Sequence, residues 1–239
     1  MKKIKMFDLT IILPCYNEEE NIDILFSNFY KLKNKLDNIC ILFFNNGSSD
    51  NTLKRIIENI NKYQFKNFKY ASIEKNNGYG YGLKIALKET ESKFIGISHA
   101  DLQIPIKETI DIANKYLNSN TENLFMGKRK GRDAIDNLFT RGMLIFVNLL
   151  TKNKFLDINA QPKFINNIIE YNFSNFPDDF NFDLHLLLKT KNLNKKIEYF
   201  EIEFLRRTAG KSKGGGSILG KFKLTYSTLK YLIKKNIND

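Results

Sequence analysis

The sequence predicts an α/β fold, one domain with a mostly parallel sheet flanked by helices, on three observations. Short apolar runs alternate with longer amphipathic stretches through the first half, the pattern of strands that cross over through helices. Each apolar run is followed by a polar segment rich in Asn, Gly, Ser or Asp, as expected along the carboxyl edge of a doubly wound sheet. The 239 residues are 42% hydrophobic and 27% charged, enough for the core of one large domain and too apolar for general disorder.

In chain order, the apolar runs Leu9–Leu13, Ile39–Phe44, Phe68–Ile73 and Phe94–Ser98 read as strands. Between them, Glu19–Leu36, Asp50–Ile60 and Tyr79–Glu89 carry apolar residues at helical spacing, with Ser49-Asp50 as a start signal. The second half is less regular: a helix over Ala134–Thr151, a short stretch Phe155–Phe164, a helix over Asp183–Lys191 and a strand over Lys196–Phe204. A loop rich in Gly, Lys and Ser follows, Arg206–Ser217. Residues 1–217 thus read as the domain and 218–239 as a basic amphipathic helix, which either lies on anionic lipid or packs on the domain.

The net charge of +12 asks for an anionic partner: nucleotide phosphates, nucleic acid or an acidic membrane surface. A lysine-rich compositional bias explains part of it. Tyr and Phe sit in apolar runs and are not interleaved with basic residues on one face, which argues against nucleic acid. The two cysteines, Cys15 and Cys40, fall inside apolar runs and read as buried free thiols of a reducing compartment. Leu9–Pro14 is too short for a signal-peptide core, and no run approaches membrane-span length, so the expected location is the cytoplasm or the inner face of its membrane.

Ligands of such sheets bind beyond the carboxyl ends of the strands, so the four polar segments are where chemistry is sought. Pro14-Cys15-Tyr16-Asn17-Glu18 sets a ring, an amide and a carboxylate where a base and ribose could bind, or simply starts a helix capped by Asn17. Asn45-Asn46-Gly47-Ser48-Ser49-Asp50 offers amides, or an ordinary turn and cap. Asn77-Gly78-Tyr79-Gly80-Tyr81-Gly82 opens a helix whose N-terminus attracts anions, without the spacing of a dinucleotide fingerprint. His99-Ala100-Asp101-Leu102-Gln103 presents oxygen ligands suited to a hard divalent cation; imidazole suits Mn²⁺ better than Mg²⁺. Arg129, Arg132, Arg141 and Arg207 are guanidinium forks able to grip phosphates, and Asp183 is either a helix cap or a site carboxylate.

Taken in order from Leu9 to Lys213, these segments resemble the family-two glycosyltransferases of the GT-A fold, nearest to the dolichyl-phosphate mannose synthase and polyprenyl-phosphate sugar transferase branch. The resemblance implies that Pro14, Tyr16, Asn17, Glu18, Asn45, Asn46, Gly78, Ala100 and Lys213 bind a nucleotide-sugar donor. It implies that Asp101, Gln103 and His99 hold a divalent cation, Mn²⁺ or Mg²⁺, and that Arg129, Arg141 and Arg207 meet phosphates, with Asp183 a further catalytic carboxylate. It also implies inverting transfer to a polyprenyl phosphate or a cell-envelope glycan, with the late loop folding over the diphosphate. A sugar hydroxyl acceptor needs a base, Asp183 or Asp101, whereas a phosphate acceptor is already ionised. Three features depart from the pattern: Asn45-Asn46 stand where two carboxylates are usual, His99 replaces an Asp, and Gln161-Pro162-Lys163 alters the acceptor-side signature. A degenerate homologue that only binds nucleotide or a partner is the rival reading; a nucleotidyltransferase would carry a Gly and Arg-rich loop where Pro14–Glu18 stand.

Overall fold

The computed structural model describes residues 7–131, 134–166, 171–207 and 218–238. Arg132, Lys213 and the Gly and Lys-rich part of the late loop lie outside them. Strands β1 (Leu9–Cys15), β2 (Ile39–Asn46), β3 (Phe68–Ile73) and β4 (Phe94–Ile97) form where the apolar runs predict them. They pair in parallel in the order β3-β2-β1-β4. Helices α1 (Glu19–Lys31), α2 (Thr52–Tyr63) and α3 (Tyr79–Lys88) make the crossovers. α1 stops short of the predicted Leu36, because the chain tightens into a 3₁₀ turn at Lys33–Lys35 that delivers Ile39 to the sheet.

Successive strand residues point to opposite faces, and two cores result. Ile11, Ile41 and Phe43 face one side, where α1 and α2 bring Phe26, Phe29 and Ile56. Ile12, Leu42 and Phe44 face the other, with Leu83 of α3. Phe26 stacks on Phe43 with centroids 4.4 Å apart, and full burial of such side chains contributes roughly 1.5–3 kcal/mol each.

Two elements went unread in the sequence: α4 (Ile106–Ser119) and β5 (Leu124–Lys130). α4 buries Ile106, Ile110, Ala113 and Tyr116 at helical spacing. Then come α5 (Ala134–Thr151), the four-residue β6 (Lys163–Asn166), α6 (Asn181–Asn192), β7 (Ile197–Glu203) and α7 (Ile218–Asn238). Only the last two residues of the predicted stretch Phe155–Phe164 enter a strand. The full order is β3-β2-β1-β4-β6-β5-β7, and β6 alone runs antiparallel to its neighbours. That reversal starts β6 at the carboxyl edge, with Lys163 opposite Ile97. α7 packs one face on the domain, where Leu232 joins the second core, and Tyr231 hydrogen-bonds His185 of α6. Among the described residues no helix is long and apolar enough to cross a membrane.

The glycines of the α3 start have a packing reason. A methyl group on Gly80 would lie 2.1 Å from the Pro177 carbonyl, and one on Gly78 2.3 Å from that of Asp178. The backbone of α3 is therefore pressed against the loop that leads into α6, and Lys84 ties the two by an ion pair to Asp178 at 2.6 Å. Overpacking of this kind costs about 1–3 kcal/mol, so Gly80→Ala is expected to lower the unfolding free energy by that amount, seen as a lower urea midpoint. An unchanged midpoint would show that the loop yields freely.

Candidate active site

The site begins where β1 and β2 end. Asn17 adopts a left-handed backbone, φ 54°, and does not cap α1, one of the two readings that the sequence leaves open to it. Its Oδ1 accepts from the Ser49 amide at 2.8 Å, and its own amide donates to Ser48 Oγ at 3.1 Å. Glu18 N donates to Thr52 Oγ1, Glu19 N to Asp50 Oδ2, and Asn51 N to Glu19 Oε2. Asp50 Oδ1 in turn accepts from the Thr52 amide and starts α2. Five bonds thus lock the two loops into one rigid surface, with Pro14 and Tyr16 half-buried on it.

Asn45 and Asn46 are nearly enclosed. Asn45 donates to Ser72 Oγ at 2.8 Å and accepts from the Ser48 amide, while Asn46 donates to the Gly78 carbonyl at 3.3 Å. A carboxylate at 46 could not donate to that carbonyl, which gives the amide there a structural reason. Gly82 allows the contact, since a methyl group on it would lie 2.4 Å from Asn46 Oδ1.

Across the edge, Asp101 follows β4. Its Oδ1 accepts from the Gln103 amide, and its Oδ2 receives Arg207 Nη2 at 2.6 Å. Nη1 of the same guanidinium reaches Glu18 Oε1 at 3.4 Å. Arg207, from the segment after β7, therefore bridges carboxylates that stand behind β1 and β4. Gln103 holds that segment: its carbonyl accepts from Leu205 N at 2.8 Å and its Nε2 donates to the Leu205 carbonyl at 3.2 Å. Burial pushes the Glu18 carboxyl above its ordinary range, against the opposing pull of Asn21 and Arg207.

Behind this bridge lie two more charge pairs. Arg129 of β5 forks onto Asp157 with bonds of 2.9 and 2.7 Å, both side chains largely buried, and its guanidinium stacks 5.4 Å from the Phe204 ring. Lys163 is fully enclosed; its ammonium lies 3.0 Å from Asp183 Oδ1 and donates to the Ala160 carbonyl at 2.8 Å. Gln161 Nε2 donates to the other faces of this cluster, Tyr79 Oη and Asp183 Oδ1. His99 sits among Asp101, Asp183, Lys163 and Arg129, and burial lowers its pKa below the ordinary value of 6.5, leaving a neutral ring at pH 7. Burial also lowers the Lys163 pKa, opposed by Asp183.

Arg207 thus joins Glu18 to Asp101, Asp101 accepts from the Gln103 amide, and His99 is within electrostatic reach of Asp101, Asp183 and Arg129. Ala100 is buried. Arg141 stands exposed on α5. The sequence reading missed the pairing of Arg129 with Asp157 and of Asp183 with Lys163; the signal was a lysine within a short strand, which burial forces to find a carboxylate.

Residues 10–178 match the profile of glycosyl transferase family 2. The chain belongs to that family. An uncharacterised glycosyltransferase of Synechocystis is 30% identical over 114 residues, 46% of this chain and 34% of that protein. Poly-beta-1,6-N-acetyl-D-glucosamine synthase of Staphylococcus aureus is 32% identical over 96 residues, 39% of this chain and 21% of that one. These matches span about a third or less of the length of those relatives. Glucosyl-3-phosphoglycerate synthase of Mycobacterium tuberculosis, solved with Mn²⁺, UDP-glucose and phosphoglyceric acid, superposes with a TM-score of 0.70 at 15% identity, over 95% of this chain and 79% of that one. The family 2 chain therefore has the GT-A fold, a seven-stranded, mostly parallel sheet flanked by helices.

Among the described residues no cluster of three or more His, Cys, Asp or Glu side chains could hold a metal ion alone. A guanidinium already stands between Asp101 and Glu18, so this position selects for positive charge. Hard divalent ions often take only one or two carboxylates and complete their shell with substrate phosphates. The donor set fits a divalent cation shared with a diphosphate.

Removing one partner of a buried ion pair costs about 3–5 kcal/mol, because the other charge stays enclosed. Lys163→Met is expected to lose stability in that range by urea unfolding, and Lys163→Met/Asp183→Leu to regain much of it. A single variant as stable as the parent would mean that the pair is not charged in the fold.

Proposed function

We propose that this family 2 chain transfers the sugar of a nucleoside-diphosphate donor, with inversion, to an acceptor phosphate, of which a polyprenyl phosphate is the leading candidate. The meeting of Glu18, Asp101 and Arg207 across the carboxyl ends of β1, β4 and β7 carries this reading. The solved relative with UDP-glucose and Mn²⁺ bound on the same fold supports the donor class.

In this reading the rigid surface of Pro14, Tyr16, Asn17 and Glu18, backed by Asn45, Asn46 and Gly78, receives the nucleoside; Lys213, outside the described residues, is assigned to the donor by the family resemblance alone. Asp101, with Gln103 Oε1 and the neutral His99 ring, would hold a divalent cation. Bound there, the cation would supply neutralisation of charge on the leaving diphosphate. Arg207, freed from Asp101, would turn its guanidinium to the diphosphate oxygens, where negative charge grows as the anomeric C–O bond breaks. Arg129, held by Asp157, lends positive charge behind the diphosphate, and Arg141 reaches for the acceptor phosphate.

The acceptor is argued from the carboxylates. Asp183 is enclosed and held by Lys163 and Gln161, so it is poorly placed to take a proton from an incoming hydroxyl. A phosphate monoester, with a second pKa of about 6, needs no base. A glycan hydroxyl is the second reading, supported by the polysaccharide synthase of S. aureus, and would need Asp101 as the base.

Thermal-shift screening with UDP- and GDP-sugars, with and without Mn²⁺, is expected to show stabilisation by a donor that the ion strengthens. Asp101→Asn is expected to lower transfer by a factor of about 10²–10³ or more with an unchanged circular dichroism spectrum. Arg207→Ala should lower kcat more than donor affinity. Parent-level turnover of Asp101→Asn, or no stabilisation by any nucleotide sugar, would overturn the reading.

A further inference from the structure

We propose that the outer faces of α5 and α7 together form a platform that lies on an anionic lipid bilayer. On α5, Leu138, Ile145 and Leu149 form a stripe at helical spacing and are 71%, 65% and 73% exposed, with Phe146 beside them. Nothing in a water-soluble core explains three large aliphatic side chains aligned outward on an 18-residue helix. α7 continues the patch. Leu219, Phe222, Tyr226 and Ile233 line its outer face, while Thr228 and Leu232 turn inward to the domain.

The two helices are joined, so the patch is one surface. Phe139 of α5 meets Phe222 of α7 edge-on with centroids 5.1 Å apart, and Lys221 Nζ stands 6.0 Å from the Phe139 ring. Charge selects the occupant. Lys223, Lys230 and Lys234 are exposed along the flank of the apolar row on α7, and no acidic residue occurs anywhere in that helix. Arg141 is exposed on α5, next to the Leu138 and Ile145 stripe. A second copy docked by two-fold symmetry would set this lysine row against its own image, which repulsion disfavours. A bilayer with anionic headgroups satisfies both halves: apolar side chains enter the acyl boundary and the lysines meet phosphates.

The substituted residues are outward-facing, so the fold tolerates their replacement, and none belongs to the candidate active site. In vesicle sedimentation at low salt, the full chain is expected to bind phosphatidylcholine mixed with phosphatidylglycerol, and to bind phosphatidylcholine alone far more weakly. Ile145→Asn/Leu149→Asn and Lys223→Glu/Lys230→Glu should each weaken partition by on the order of tenfold, the second also flattening the salt dependence. Stabilisation by nucleotide sugars, followed in parallel, should be unchanged in both, so failure of the platform and failure of the proposed activity are distinguishable. A parent chain that stays in the supernatant, or that binds both vesicle types equally, would overturn the proposal. So would concentration-dependent self-association abolished by Ile145→Asn/Leu149→Asn, which would assign the patch to a second copy.

Discussion

Parallel pairing of β1 with β2 on one side and β4 on the other is the constraint on which the rest of this molecule depends. The register sets Cys15 beside Asn45 and Ile12 beside Ile97, so three strands release the chain at one edge within a few residues of each other. Loops that are distant in sequence are then obliged to touch, and the bonds from Asn17, Glu18 and Glu19 to Ser49, Thr52 and Asp50 follow. β7, parallel to β5, sends Phe204–Arg207 to that same edge. β6 reaches it by the opposite route: being antiparallel, it begins there, and its first residue is the enclosed Lys163.

The electrostatics of the edge are those of charges satisfied in pairs and triads. Arg129 with Asp157, Lys163 with Asp183, and Arg207 with Glu18 and Asp101 account for seven ionisable side chains at and behind this edge. Desolvation of such groups rarely adds net stability compared with an apolar filling, but it makes their geometry costly to disturb. Two of the three assemblies are buried and fixed. The third is partly open, joins elements 106 and 189 residues apart, and is the one whose cation stands beside the late loop.

The first half of the fold was legible because its information is local. A buried parallel strand shows as an apolar run, its crossover helix shows as apolar spacing, and its functional edge shows as the polar segment between them. The same logic failed for β5, whose apolar part is only Leu124–Met126 before Gly127-Lys128-Arg129, so its residues read as ligands and not as strand. α4 did carry helical spacing, Ile106, Ile110 and Ala113, and was readable in principle. For the site, the identity of Glu18, Asp101 and Arg207 could be read from their segments, but their contact could not, since it depends on sheet order. Of the two roles open to Asn17, the cap falls away because its left-handed backbone turns the side-chain amide toward Ser49. Lys163 was the least legible: a lysine in a strand contradicts the apolar pattern until a carboxylate from α6 is seen beside it.

The two hydrogen bonds by which Gln103 grips Leu205 have a thermodynamic consequence for any ion at Asp101. With Leu205 pinned, Arg207 is a tethered competitor, presented to Asp101 through a two-residue leash at an effective concentration that does not fall on dilution. A divalent ion arriving alone must displace that guanidinium from Asp101 and leave it only its longer contact to Glu18. One that arrives with an anionic diphosphate offers the displaced guanidinium a new partner. Under the proposed function, ion and nucleotide binding would be linked, each raising the apparent affinity of the other by the same factor, so an ion affinity measured without nucleotide would report the exchange and not the strength of the site.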